Sequence, residues 1–84
     1  MVFCKMPGHR LTNHIQTTVI NVTSSTRCLQ RCVNNQSCYS VNYQVSTGVC
    51  EINDVTDLEY GGDLVTGSDV IEFEHFTSRE CSAE

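Results

Sequence analysis

The stretch Cys28–Tyr43, CLQRCVNNQSCYSVNY, places three of the chain's six cysteines within eleven residues. Zinc binding, thiol redox chemistry and disulfide cross-linking all use such a density, and spacing separates them. A zinc site gathers four Cys or His ligands, usually as two short-spaced pairs. Here the order is C-x3-C-x5-C followed by eleven residues to Cys50, with no C-x2-C and no H-x3-H pair. A redox centre favours C-x-x-C at a helix N-terminus, where the dipole lowers a thiol pKa, and that motif is absent as well. An even number of cysteines in a chain of 84 residues therefore reads as a disulfide framework made in an oxidising compartment, which implies secretion.

Upstream of this stretch, Ser24-Ser25-Thr26 supply N-caps for a helix running to about Val33. Cys28 and Cys32 are four residues apart, as are Leu29 and Val33, so all four share one helix face. Asn34-Asn35 are expected to stop the helix, because Asn tolerates the left-handed conformation common at helix ends. From that face Cys32 is expected to meet Cys38, which returns after a five-residue loop. Cys28, one turn back, reaches the hairpin strand at Cys50, and Cys4 with Cys81 ties the chain ends together.

Residues 15–22, IQTTVINV, are β-branched and largely alternating, as in a half-buried strand. Residues 38–44 alternate Tyr39, Val41 and Tyr43 against Cys38, Ser40 and Asn42. Ser46-Thr47-Gly48 then turns the chain into a returning strand at Val49–Ile52, forming a hairpin. Through Cys38, Ser40 and Asn42 are expected beneath the helix, with Asn42 bonded to backbone. Tyr39, Val41 and Tyr43 would then form a second small core. Residues 53–69 are acidic and glycine-punctuated, expected as loops with a short strand near Leu64-Val65. Val70–Phe76 is the last expected strand, with Ile71, Phe73 and His75 on one face. The economical assembly is α+β, a single helix packed on an antiparallel sheet in one domain spanning residues 1–84.

At this size the apolar core alone is marginal, and with no Trp, three Phe and three Tyr it is built mostly from aliphatic residues. The disulfides are the expected supplement. No apolar run is long enough for a signal peptide or a membrane span, so the chain reads as a mature piece or a module of a larger extracellular protein. Charge is uneven: residues 1–50 carry Lys5, Arg10, Arg27 and Arg31 and no acid, while residues 51–84 carry all ten acids against Arg79. Four dispersed cations make nucleic acid an unsuitable partner. The acids read first as solubilising charge, and as a surface for a basic ligand second.

No catalytic framework holds the remaining reactive residues. His9, His14 and His75 lie in no G-x-S-x-G, H-E-x-x-H or related motif and are expected at the surface. Asp54, Asp57, Glu59 and Asp63 lack the order of an EF-hand loop, so neither a metal nor another cofactor is expected. Asn21-Val-Thr23 and Asn35-Gln-Ser37 are candidate N-glycosylation sites.

The pattern running through Phe3, Gly8 and Leu11, the cysteine-bearing helix, Cys38-Tyr-Ser-Val-Asn-Tyr43 and Cys50-Glu-Ile-Asn53 resembles the PAN/apple family. That resemblance implies a helix cradled on an antiparallel sheet, with Cys28–Cys50 and Cys32–Cys38 as helix-to-sheet bridges. A Cys4–Cys81 bridge would match the apple-type members that join their termini. The sequence departs from the family where Val41 replaces a common aromatic, and in the acidic segment 53–69. The implied role is non-catalytic extracellular recognition or adhesion, through protein or carbohydrate binding. Protein is favoured here because the chain has no Trp and few aromatics to stack on sugars. A free-standing secreted effector, such as a small inhibitor or toxin-like protein, is the alternative use of the scaffold. The resemblance lends no ligand-contacting residue.

Overall fold

The computed structural model describes residues 3–78. Seven strands and one helix follow in the order β1 (Cys4–Pro7), β2 (His9–Leu11), β3 (Ile15–Val19), α1 (Ser25–Val33), β4 (Ser40–Gln44), β5 (Val49–Asn53), β6 (Leu64–Thr66) and β7 (Phe73–Thr77). An antiparallel sheet runs β1-β7-β4-β5-β3, and β2 and β6 form a separate antiparallel pair. Helix α1 packs on β4 and β5, while β2 lies against β7 and β4.

The helix begins where Ser24, in extended conformation, accepts a hydrogen bond from the Arg27 N–H through its Oγ at 3.2 Å. That bond satisfies one of the donors a helix start leaves orphaned. Its end differs from expectation: Asn34 has φ −85° and donates its N–H to Gln30 O, so no left-handed stop is needed. The left-handed asparagines are Asn13 and Asn21, at φ 68° and 60°. Asn21 also explains why β3 stops at Val19 instead of reaching residue 22. It turns the chain so that the Val22 N–H bonds Gly48 O at 2.9 Å and the Val22 side chain enters the core. Gly48 has φ +75°, and a Cβ there would lie 2.7 Å from Val22 O, so this turn requires glycine on two counts.

Alternation along β4 sorts two chemistries onto opposite faces. Val41 stands opposite Ile52 and Phe76, and Tyr43 opposite Cys50. These residues join Val22, Cys28, Cys32 and Cys38 in the main core under the helix. The other face carries Ser40, Asn42, Glu51, Asn53, His75 and Thr77, all buried. This inverts the expected phase of β4. The strand begins only at Ser40, after a bend at Tyr39, so Cys38 is outside the alternation and cannot set its parity. Val41 and Tyr43 therefore belong to the main core, and Tyr39 is 51% exposed.

Disulfides Cys28–Cys50 and Cys32–Cys38 fasten α1 to the sheet and to the approach of β4, with Cα separations of 5.6 and 5.2 Å. Cys4 is disulfide-bonded. The bridge expected between Cys4 and Cys81 falls on a residue outside the described ones. At the other end of the chain, β7 starts at Phe73 instead of Val70, because Ser68–Val70 forms a 3-10 turn. Ile71 consequently leaves the strand pattern and stands 70% exposed.

Candidate functional site

The polar face is the first place to look for chemistry; most of its groups are engaged in building the fold, while the buried Asn53 Oδ1 and Thr77 Oγ1 have no hydrogen-bond partner among the described residues. Asn42 behaves as a substitute peptide group. Its Oδ1 accepts from the Leu11 N–H at 2.9 Å and its Nδ2 donates to Leu11 O at 2.8 Å, joining β2 to the face of β4. The same Oδ1 accepts from His75 Nδ1 at 2.8 Å, and Nδ2 also donates to Glu51 Oε1 at 3.0 Å. Glu51 in turn receives Arg10 through Nε and Nη2, at 2.9 and 2.5 Å. Hydrogen bonding to Glu51 outweighs burial and raises the Arg10 pKa further. The Arg10 guanidinium also lies 4.6 Å from the centroid of the Phe73 ring. His75 Nε2 faces Asp57 Oδ1 at 3.7 Å. His75 is thus fully buried, contrary to the surface position expected of it.

The acidic loop is likewise distributed among separate contacts. Asp63 accepts from His14 Nε2 at 2.8 Å and from Asn13 Nδ2 at 3.2 Å, which holds its carboxyl below the ordinary aspartate range, chiefly through the His14 bond. His14 also lies against Tyr60, with ring centroids 4.1 Å apart. Asp57 is buried beside His75, whereas Asp54 and Glu59 are exposed. Among the described residues, no group of three or more Cys, His, Asp or Glu is placed to hold a metal.

Exposed clefts lie instead along α1. Cys28 and Cys32 are consumed on the inner face and Arg27, Gln30 and Arg31 are exposed; Val33, expected on the cysteine face, is exposed as well, because it lies at the last residue of the helix, past the cysteines that meet the sheet. Two clefts flank the helix and share Gln30 and Asn34. One, of about 460 Å3, is walled by the apolar Phe3, Leu29 and Val33 with Thr26. The other, of about 470 Å3, is polar and holds Arg27 and Arg31 beside Asn21 and Thr23. A third, smaller cleft of about 300 Å3 lies at the hairpin end between Val45 and Ile71, with Glu72 and Glu74 at its rim. Its charges are partly matched within the chain, since Ser46 bonds Glu72 and Lys5 lies 3.2 Å from Glu74.

Of the two sequons, Asn21 is exposed beside the polar cleft. Asn35 is half-buried, its Oδ1 accepting from the Ser37 N–H at 2.9 Å. Sequence reasoning identified the helix but not these clefts, because their walls combine α1 with Phe3 and with the Asn21 turn. The signal that could have found Arg27 and Arg31 is the helix periodicity, which places each one residue before a cysteine and so off the cysteine face.

Helix, sheet and cross-links together define a disulfide-stapled α+β module. A family model described as PAN domain matches residues 2–81, and the chain belongs to that family. PAN domains are generally non-catalytic, typically extracellular modules that mediate protein or carbohydrate interactions. No curated protein matches the chain. Among the described residues no helix is long and apolar enough to cross a membrane.

Proposed function

We propose that this chain is a non-catalytic recognition module of a secreted or cell-surface protein, and that it binds an extracellular protein through the apolar flank of α1. The observation carrying the reading is the cleft of Phe3, Leu29 and Val33, with Val33 53% exposed. It lies on a helix that two disulfides hold to the sheet and its approach. Apolar side chains held open on a rigid support are what a partner's anchor residue needs, since little order is lost on binding. Residues 1–84 act as one module, and a Cys4–Cys81 bridge joining its ends completes the framework. The non-catalytic assignment is supported by the family, since PAN domains are generally non-catalytic binding modules.

Screening the oxidised protein against arrays of extracellular proteins and glycans tests this reading. The expected result is a protein ligand whose affinity falls at least about tenfold with Val33→Asp, the loss expected when a central apolar contact becomes a desolvated charge. Ile71→Asp, in the hairpin-end cleft, should leave binding unchanged. A protein ligand indifferent to Val33→Asp would overturn the assignment of the surface.

A further inference from the structure

The polar face of the sheet is built in rungs across β5, β4 and β7, and two of these rungs contrast. In one, Asn42 stands between Glu51 and His75; in the next, Ser40 stands between Asn53 and Thr77. All of these side chains are buried. Asn42 reaches both of its neighbours, donating from Nδ2 to Glu51 at 3.0 Å and accepting at Oδ1 from His75 at 2.8 Å. Ser40 is shorter and reaches only one. Its Oγ accepts from Asn53 Nδ2 at 3.1 Å and gives its single proton to Val55 O at 2.6 Å, outside the rung. Asn53 Oδ1 and Thr77 Oγ1 are thereby buried with no hydrogen-bond partner among the described residues. Reversing the Asn53 carboxamide does not remove the deficit. Val55 O can only accept, so the Ser40 proton is committed to it and Ser40 Oγ can only accept from Asn53. The amide nitrogen must therefore face Ser40, and the oxygen is the atom left to be satisfied.

We infer that the Asn53–Ser40–Thr77 rung is a binding site for an internal water molecule, which donates to Asn53 Oδ1 and accepts from the Thr77 hydroxyl. The water does between these strands what the Asn42 carboxamide does in the neighbouring rung. Buried polar groups are paired with protein or with ordered water almost without exception, and two polar partners are enough to order a buried water. One orphan can only accept and the other carries a proton to give, and water meets both needs at once. Empty interior space is apolar, whereas this rung offers a carboxamide and two hydroxyls. A cation fits less well, because none of the three side chains is charged. Asn53 is the last residue of β5 and Thr77 the last of β7. The water therefore ties β7 to the point where the acidic segment leaves the sheet. The site is internal and independent of the surface proposed for a partner.

A crystal structure of the oxidised protein at atomic resolution, with water magnetic relaxation dispersion in solution, tests the site. The expected result is an ordered water within about 3.2 Å of both Asn53 Oδ1 and Thr77 Oγ1, and one long-lived water fewer in Thr77→Val than in the parent. Thr77→Val keeps the branched Cβ and removes the hydroxyl, so the sign of its effect on stability is decisive. Loss of a water ligand should lower the folded-to-unfolded ratio by about fivefold in denaturant titration. Removal of a hydroxyl that has no partner would raise it. Thr77→Ser keeps the hydroxyl and should keep the water, whatever the loss of its methyl does to stability. A rung without water, a protein group bonded to the two atoms in its place, an undiminished water signal in Thr77→Val, or unchanged or higher stability of that variant would overturn the inference. Each of these results leaves the Val33 test unaffected.

Discussion

The two faces of the five-stranded sheet are made by the same strands and held by opposite means. Toward the helix, Val41, Tyr43, Ile52 and Phe76 pack with the cysteines of two disulfides. Burial there is non-directional, and side chains of about the right size suffice. Toward β2, Ser40, Asn42, Glu51, Asn53, His75 and Thr77 are buried polar groups, and each demands a partner at hydrogen-bonding distance. The helix face thus tolerates variation but depends on the Cys28–Cys50 and Cys32–Cys38 cross-links, and the polar face depends on the geometry of its hydrogen bonds.

Breaking the covalent side of this comparison should have the largest effect. Replacing Cys28 and Cys50 together by alanine releases a loop worth about 3.4 kcal/mol in the chain-entropy description. A lower denaturation midpoint with loss of near-UV signal is expected in denaturant titration. Asn42→Ala strikes the polar face. It strips partners from the Leu11 backbone, His75 and Glu51 at once, and should cost about 3 kcal/mol with the disulfides intact. A loss below about 0.5 kcal/mol would mean that the polar face is not held by this residue.

A smaller effect separates the acidic loop from both faces. Asp63 has its pKa depressed by His14 and Asn13. It therefore contributes stability above the unfolded aspartate value of about 3.9, and that contribution is lost as pH falls through the lower folded value. Asp63→Asn should accordingly be less stable than the parent at pH 6 and converge with it below the ordinary carboxylate range, followed by thermal melts across pH. A difference that persists undiminished at the lowest pH would assign the loss to something other than ionisation.

These contrasts also explain what could be read in the sequence. The helix was legible, because its Ser24 cap and its four-residue cysteine spacing are local signals. The hairpin of β4 and β5 was legible for the same reason, through its alternation and its Ser46–Gly48 turn. Strands β1 and β2 escaped because they have four and three residues, too few for a period, and surround the Pro7-Gly8 turn. The phase of β4 was misread because the bend at Tyr39 interrupts the alternation, which nothing in the residue types marks. The burial of His75 was unreadable, since its partner Asn42 lies 33 residues away in sequence. The same limit applies to the clefts beside α1, whose walls meet only after folding.

What unites the two faces is that both leave the outer side of α1 free of structural duty. Amide chemical-shift mapping of the oxidised protein with its extracellular protein ligand tests that claim most directly. Perturbations concentrated on Phe3 and on residues 26–34 are predicted, with the hairpin end at residues 45–46 and 71–74 unmoved. Perturbations concentrated at the hairpin end, with α1 silent, would contradict it.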